Sequence, residues 1–386
     1  MTVFKSLAVV LVTCFVWTGF VFSSEAGLKD KSFVYFGTYS GQKSKGIYMS
    51  RFDSIAGELS VPELVAEATN ASFLAVSPAV STNGTQFLYT VNEVDAGMVT
   101  AYAIDSKTGR LKRLNAQSSQ GKSPCYLSVD KSGKWVFVAN YGSGSIAVLP
   151  VKPDGSLMEA TNVIQNAGSS VNKSRQEGPH AHWVDMAPQS DFLFGCDLGL
   201  DKLIAAKFDS ASGILMKNLV MFTDLKAGAG PRHMTFSPDN RFAYVINELD
   251  STVSVFSFTP SIGKMTAVQT VKTVPPNFTE VNYPAEVEVH PTGRFLFGSN
   301  RGHNTLAMYR IDKQTGKLTP LVFVPTEGKN PRHFAIDPLG NWMVVANQDS
   351  DDVVVFRIDQ RLENLMPMGQ KVDIGAPVCV KFVPIP

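Results

Sequence analysis

The sequence predicts an all-β chain folded as a seven-bladed β-propeller, and three observations lead there. A phrase of two apolar runs joined by a tight turn recurs at intervals of about fifty residues. A second hairpin signal alternates with it. The two ends of the chain each hold half of one further unit.

The recurrent phrase is clearest at 230–248 (GPRHMTFSPDNRFAYVINE), 283–301 (YPAEVEVHPTGRFLFGSNR) and 330–348 (NPRHFAIDPLGNWMVVANQ), and 71–93, 123–141 and 178–198 share its outline. Apolar residues alternate on either side of Asp-Asn, Thr-Gly or Leu-Gly, which reads as two strands, A and B, joined by a turn. Between these phrases lie C–D turns of the Asp-x-x-x-Gly kind, at Asp53, Asp105, Lys152, Asp209, Thr259, Asp312 and, without Gly, Asp359. Seven C–D turns against six complete A–B units leave one unit divided. FVYFGT at 33–38 reads as a strand B without its A, and APVCVKF at 376–382 as an A without its B. Pairing the C-terminal strand A with the N-terminal strand B closes a ring and removes its open edge. Val, Ile, Phe, Tyr and Thr crowd the periodic runs and Gly or Pro interrupts them, which disfavours helix. Another all-β sandwich array is the architectural alternative. A chain of 386 residues would ordinarily suggest several domains, but a ring of small blades forms a single one, here expected over 27–386.

Residues 1–26 stand apart from the repeat. Lys5 precedes an uncharged, mostly apolar stretch from Leu7 to Phe22, followed by the small residues Ser23, Ser24, Ala26 and Gly27. This is the outline of a secretory signal peptide, implying a secreted or periplasmic chain, with an uncleaved membrane anchor as the competing reading. The 35 basic and 34 acidic residues nearly cancel, so neither nucleic acid nor a membrane surface is an expected partner once the leader is removed. Any anion site must be local, and the sequence sets no oligomeric state. Cys14 belongs to the leader, and Cys125, Cys196 and Cys379 have neither metal-knuckle nor disulfide-framework spacing, so buried thiols are expected. Asn70, Asn83, Asn172 and Asn277 lie in glycosylation sequons.

In an A–B hairpin the start of A and the end of B lie at one end, so every blade presents both at the same mouth of the ring. The A starts supply Cys125, Tyr126, His180, His182, Arg232, His233, Glu286, Arg332 and His333. The B ends supply Tyr39, Glu93, Tyr141, Asp197, Glu248 and Arg301 beside Asn92, Asn140, Asn247, Asn300 and Asn347. Five of the six histidines, counting His303 just after a strand B, fall at or beside this mouth, and only His290 lies at an A–B turn. Imidazole, guanidinium and carboxylate groups in one cleft could bind an anionic small molecule and move a proton. The Asn residues have a structural reading, as hydrogen-bond partners of the following turn. His233 and His333 have one too, as packing between blades. His180 and His182, two apart on a strand, are expected to face the same side, and without a third ligand they do not define a metal site. Arg232 and Arg301 are the strongest functional candidates, since two guanidiniums near one cleft need an anion to offset their repulsion. Glu286, Arg332, His333 and Tyr141 complete the candidate substrate-binding set. No cofactor is expected.

GPHAH at Gly178, the block from Gly230 to Phe256, the block from Ala285 to Asp312 and the block from Asn330 to Phe356 resemble the seven-bladed β-propeller lactonase family. That family includes bacterial propeller-type 6-phosphogluconolactonases and fungal carboxy-muconate lactonizing enzymes. The resemblance runs from Phe33 to Phe382 and implies a metal-independent site acting on a lactone or its hydroxy acid. By motif position it implies a functional set of His180 or His182, Arg232, Glu248 and Arg301. The chemistry of lactone opening then assigns acid/base work to His180, with His182 as its alternate, orientation of it or activation of water to Glu248, and anion or oxyanion binding to Arg232, with Arg301, Arg332 and His333 completing anion binding. No Gly-x-Ser-x-Gly elbow is present, which disfavours a serine hydrolase. The leader departs from a cytoplasmic sugar-phosphate enzyme and points to an uncharged sugar lactone or another cyclic ester. A lactonizing cycloisomerase and a non-catalytic ligand- or protein-binding propeller are the alternative functions.

Overall fold

The computed structural model describes residues 31–78 and 84–385. The predicted leader, Cys14 and the Asn83 sequon lie outside them. Seven antiparallel sheets follow one another around a ring. The six undivided blades begin with the inner strands Leu74–Val76, Pro124–Val129, Ala181–Met186, Pro231–Phe236, Tyr283–Val289 and Pro331–Ile336, each followed outward by three more strands. In the divided blade the innermost strand is Pro377–Pro384, paired antiparallel with Lys31–Thr38. The register runs from Ser32 opposite Pro384 to Thr38 opposite Pro377. Ring closure between the ends is therefore as the split repeat requires. That blade departs only at its outer edge, where Glu58–Leu59 and Glu63–Glu67 both pair with Gly46–Asp53.

The second strands differ from the alternation expected of them. Trp135–Asn140, Phe192–Asp197, Phe242–Asn247 and Trp342–Asn347 are buried at every position, because each is covered on both faces by neighbouring blades. The half-buried, alternating character belongs to the outer strands, such as Lys264–Lys272.

Neighbouring blades lock through a repeated contact. An aromatic residue at or near the start of strand B lies beneath the C–D turn of the next blade, where a glycine has no side chain to obstruct it. Trp135 sits under Gly213, and a Cβ there would come within 2.0 Å of the indole. Trp342 sits under Gly57 across the closure, and Phe87, Phe192 and Phe242 meet Gly155, Gly263 and Gly316. Trp135 and Trp342 also donate their indole N–H to the carbonyls of Ser210 and Ser54, at 3.0 and 2.7 Å. Cys125, Cys196 and Cys379 are all free and buried.

Candidate active site

The inner strands carry an irregularity that builds the site. Ala181 pairs with Asp197 and Trp183 with Cys196, so His182 is an extra residue opposite the next strand. Arg232 and Arg332 occupy the same place between Pro231 and His233 and between Pro331 and His333. Cys125 and Val378 do so in two further blades, and Ala285 with Glu286 face Ser299 alone in another. These are β-bulges, which bend a strand and re-aim its side chains. They let two successive residues reach the central channel, and Arg232, His233, Arg332 and His333 all line one narrow gap.

Above that gap, at the predicted mouth, is a cavity of about 260 Å³ bordered by His182, Glu248, Arg301, Arg332, Tyr141, Tyr283, Glu93, Cys125 and Arg175. Glu248 is its electrostatic centre. Its Oε2 accepts from Arg232 Nε at 3.1 Å and Arg301 Nη2 at 2.7 Å, and its Oε1 from Arg175 Nη2 at 2.5 Å. Burial alone would raise its pKa, but the guanidiniums of Arg301 and Arg232, with Arg175, hold it well below the usual carboxylate range. Arg232 is only 2 % exposed. Burial and the guanidiniums of Arg301 and Arg332 bring it down to about 9, so it remains charged at neutral pH. It also donates to the Ala285 carbonyl at 2.7 Å. Arg332 donates to Tyr39 Oη at 2.9 Å, and Tyr39 in turn donates to Glu93 at 2.9 Å.

His182 is 5 % exposed and its buried Nδ1 has no hydrogen-bond partner. Burial first, then the charge of Arg232, hold its pKa well below that of free histidine, so the ring is neutral. His180 sits differently. Its ring stacks on Tyr141 at 4.4 Å, with Nδ1 3.0 Å from the Tyr141 carbonyl and Nε2 3.2 Å from Glu177. The expectation that both rings share one face is corrected by the bulge, which brings His182 to the cavity and leaves His180 outside its lining, packed against Tyr141.

Glu286 and His333 belong to the layer below. Glu286 Oε2 lies 3.0 Å from His233 Nδ1 and 3.1 Å from His333 Nε2. Arg232 Nη1 lies 3.1 Å from His233 Nε2, and the Val380 N–H lies 3.3 Å from His333 Nδ1. Those two nitrogens must accept, so the proton of each ring is on the nitrogen that faces Glu286. Burial pushes His333 down to about 3 and His233 well below its ordinary value, which makes both contacts hydrogen bonds of neutral rings. With the Phe73 and Tyr126 rings 4.1 Å apart and tilted by 33° beside His233, this layer separates the upper cavity from another of about 510 Å³ at the opposite mouth. The lower cavity is larger, but it gathers Asp185, Glu286 and Glu288 with one lysine, Lys381. Of the two cavities, the upper one is lined by guanidiniums and the lower one by none.

Of the residues singled out from sequence, the upper cavity thus brings together His182, Glu248, Arg301, Arg332 and Tyr141, with Arg232 buried directly behind Glu248. His180 is outside the lining, stacked on Tyr141, while Glu286 and His333 support the cavity from beneath. The mouth asparagines are structural: Asn140, Asn247, Asn300 and Asn347 each bond the side chain five residues on, at Ser145, Thr252, Thr305 and Asp352. Arg175 was missed because it lies in the irregular segment 166–180, outside every repeat. Its one sequence signal is the charged SRQE run immediately before GPHAH. Among the described residues, no group of three or more His, Cys, Asp or Glu is arranged to hold a metal ion.

The family described as lactonase, 7-bladed beta-propeller, matches residues 33–382. The 6-phosphogluconolactonase of Bacillus subtilis is 35 % identical over 350 residues, spanning 90 % of this chain and 97 % of its own length. The 6-phosphogluconolactonase of Formosa agariphila is 32 % identical, over 78 % and 85 % of the two chains. The periplasmic gluconolactonase of Pseudomonas aeruginosa superposes with a TM-score of 0.85 at 33 % identity, covering 92 % of this chain and all of that one.

Proposed function

This chain belongs to the seven-bladed β-propeller lactonase family, and on that premise we propose that it is an exported lactonase hydrolysing a sugar-derived lactone of the gluconolactone kind. One observation carries the chemistry: a neutral, buried imidazole with an unpartnered nitrogen, His182, borders a cavity walled by guanidiniums. His182 removes a proton from water as the water oxygen attacks the lactone carbonyl carbon. Negative charge develops on the carbonyl oxygen and is met by Arg301 or Arg332. The ring C–O bond then breaks, and the imidazolium returns its proton to the departing alkoxide. Ionised Glu248 favours the transient imidazolium. Held by three guanidiniums, it is too weak a base to activate water itself. The apolar leader supports export, as does likeness to a periplasmic gluconolactonase.

The test is turnover of gluconolactone, with and without a 6-phosphate, by purified chain beginning at Gly27, with spontaneous opening subtracted. His182→Gln should lower kcat/KM by roughly 10²–10⁴, and His180→Gln by far less. Wild-type protein that opens no lactone above background would refute the assignment, and a fully active His182→Gln would refute the role of that residue.

A further inference from the structure

Arg175 is unlike the other partners of Glu248. Its side chain is 31 % exposed, against 3 % for Arg232 and 12 % for Arg301. It alone holds Oε1, whereas the other two share Oε2. Withdrawing it would therefore leave Glu248 still paired. The guanidinium also lies 5.5 Å from the centre of the Tyr283 ring and 3.5 Å from Tyr141 Oη, at the cavity rim. Its backbone segment is anchored on both sides. Ser170 Oγ donates to Asp201 at 2.6 Å, and Gln176 Nε2 to the Leu198 carbonyl at 2.9 Å. The backbone is held, so releasing Glu248 requires only that the side chain swing away.

Charge completes the case. Arg175, Arg232, Arg301 and Arg332 stand against the carboxylates of Glu93 and Glu248 around the cavity, an excess of two positive charges (four minus two). A guanidinium presents a planar fork of donors matched to phosphate or carboxylate oxygens.

We propose that Arg175 is a specificity-determining residue that recognises an acidic substituent of the substrate at the rim, giving up its contact with Glu248 Oε1 to do so. The proposal rests on the lactonase assignment for its substrate, yet it also predicts binding that needs no turnover. Two readouts are therefore paired. One is kcat/KM for gluconolactone, 6-phosphogluconolactone and a lactone bearing a free carboxylate, glucarolactone. The other is calorimetric titration with the acids gluconate, 6-phosphogluconate and glucarate. Arg175→Ala should lower the kcat/KM ratio of the acidic over the neutral lactone by at least about tenfold, and weaken the matching acid by roughly ten- to a hundredfold. Arg175→Lys should keep part of both. The arm most affected distinguishes phosphate from carboxylate as the recognised group. Equal losses on neutral and acidic ligands, or none, would overturn the proposal. If no lactone is opened but 6-phosphogluconate or glucarate affinity still falls in Arg175→Ala, Arg175 keeps its role and the lactonase assignment is what fails. A thermal melt matching wild type shows that the variant is folded.

Discussion

At the scale of single residues, the channel separates groups by charge state. The upper layer keeps Glu248 ionised by surrounding it with guanidiniums, and keeps His182 neutral by burying it among the same charges. The opposite mouth does the reverse. Glu288 is pushed up to about 8 by burial and by Glu286, against the smaller opposing effect of Lys381. The folded chain therefore binds a proton at Glu288 that the unfolded chain releases near its ordinary value of 4.5. Its contribution to stability is fully present below that value and is lost as pH rises toward 8. The buried histidines have the opposite sign, since their folded values are lowered. They weaken the fold only as pH falls below 6.5. Between about pH 6.5 and 8 Glu288 should therefore govern the slope among these groups. The melting temperature of wild type should fall across that window relative to Glu288→Gln, in a series of thermal melts. Parallel curves would remove the buried acid from the account.

At the scale of the element, the bulge and the inter-blade turn are the two devices that matter. A regular strand would send only alternate residues to the channel, so Arg232 could not line it together with His233. The bulge permits both, which is how one short strand serves the site and the supporting layer beneath it. The C–D turns do the structural work between blades. At Gly213 the backbone has φ of +71°, and an added methyl would collide with the Trp135 ring. Gly213→Ala should thus destabilise the chain by about 1–3 kcal/mol, measured by denaturant melt. Gly369, also at positive φ but with open space around it, is the control that carries only the backbone cost. A Gly213 variant no less stable than the Gly369 one would show that the indole contact contributes nothing.

At the scale of the whole molecule, function depends on closure. The site draws on His182, Arg232, Glu248, Arg301 and Arg332 from four consecutive blades, and on Tyr39 just after the first described strand. Arg332 meets Tyr39 across 293 residues of sequence, at the seam where the two ends of the chain join. A chain ending at Ala376 lacks the inner strand of that blade and leaves Lys31–Thr38 as an unpaired, apolar edge. It should lose cooperative melting and aggregate, as read by calorimetry and size-exclusion chromatography. A monomeric truncation with an unchanged transition would mean that the ring does not need its closing strand.

What the amino-acid order decided alone is the architecture. Strand periodicity, turn residues and the count of hairpins are local properties repeated down the chain, so blade number and the divided unit could be read without coordinates. The mouth residues were legible for the same reason, since strand ends recur at fixed places in the repeat. Depth was not legible. Whether His180 or His182 enters the cavity, and whether Glu286 stands beside Glu248 or beneath it, depends on a register slip set by pairing with the neighbouring strand. Arg175 depended on it still less: it comes from an irregular segment and meets Glu248 across 73 residues. Contacts of that range are fixed only when the ring has closed and burial has settled which charges must pair.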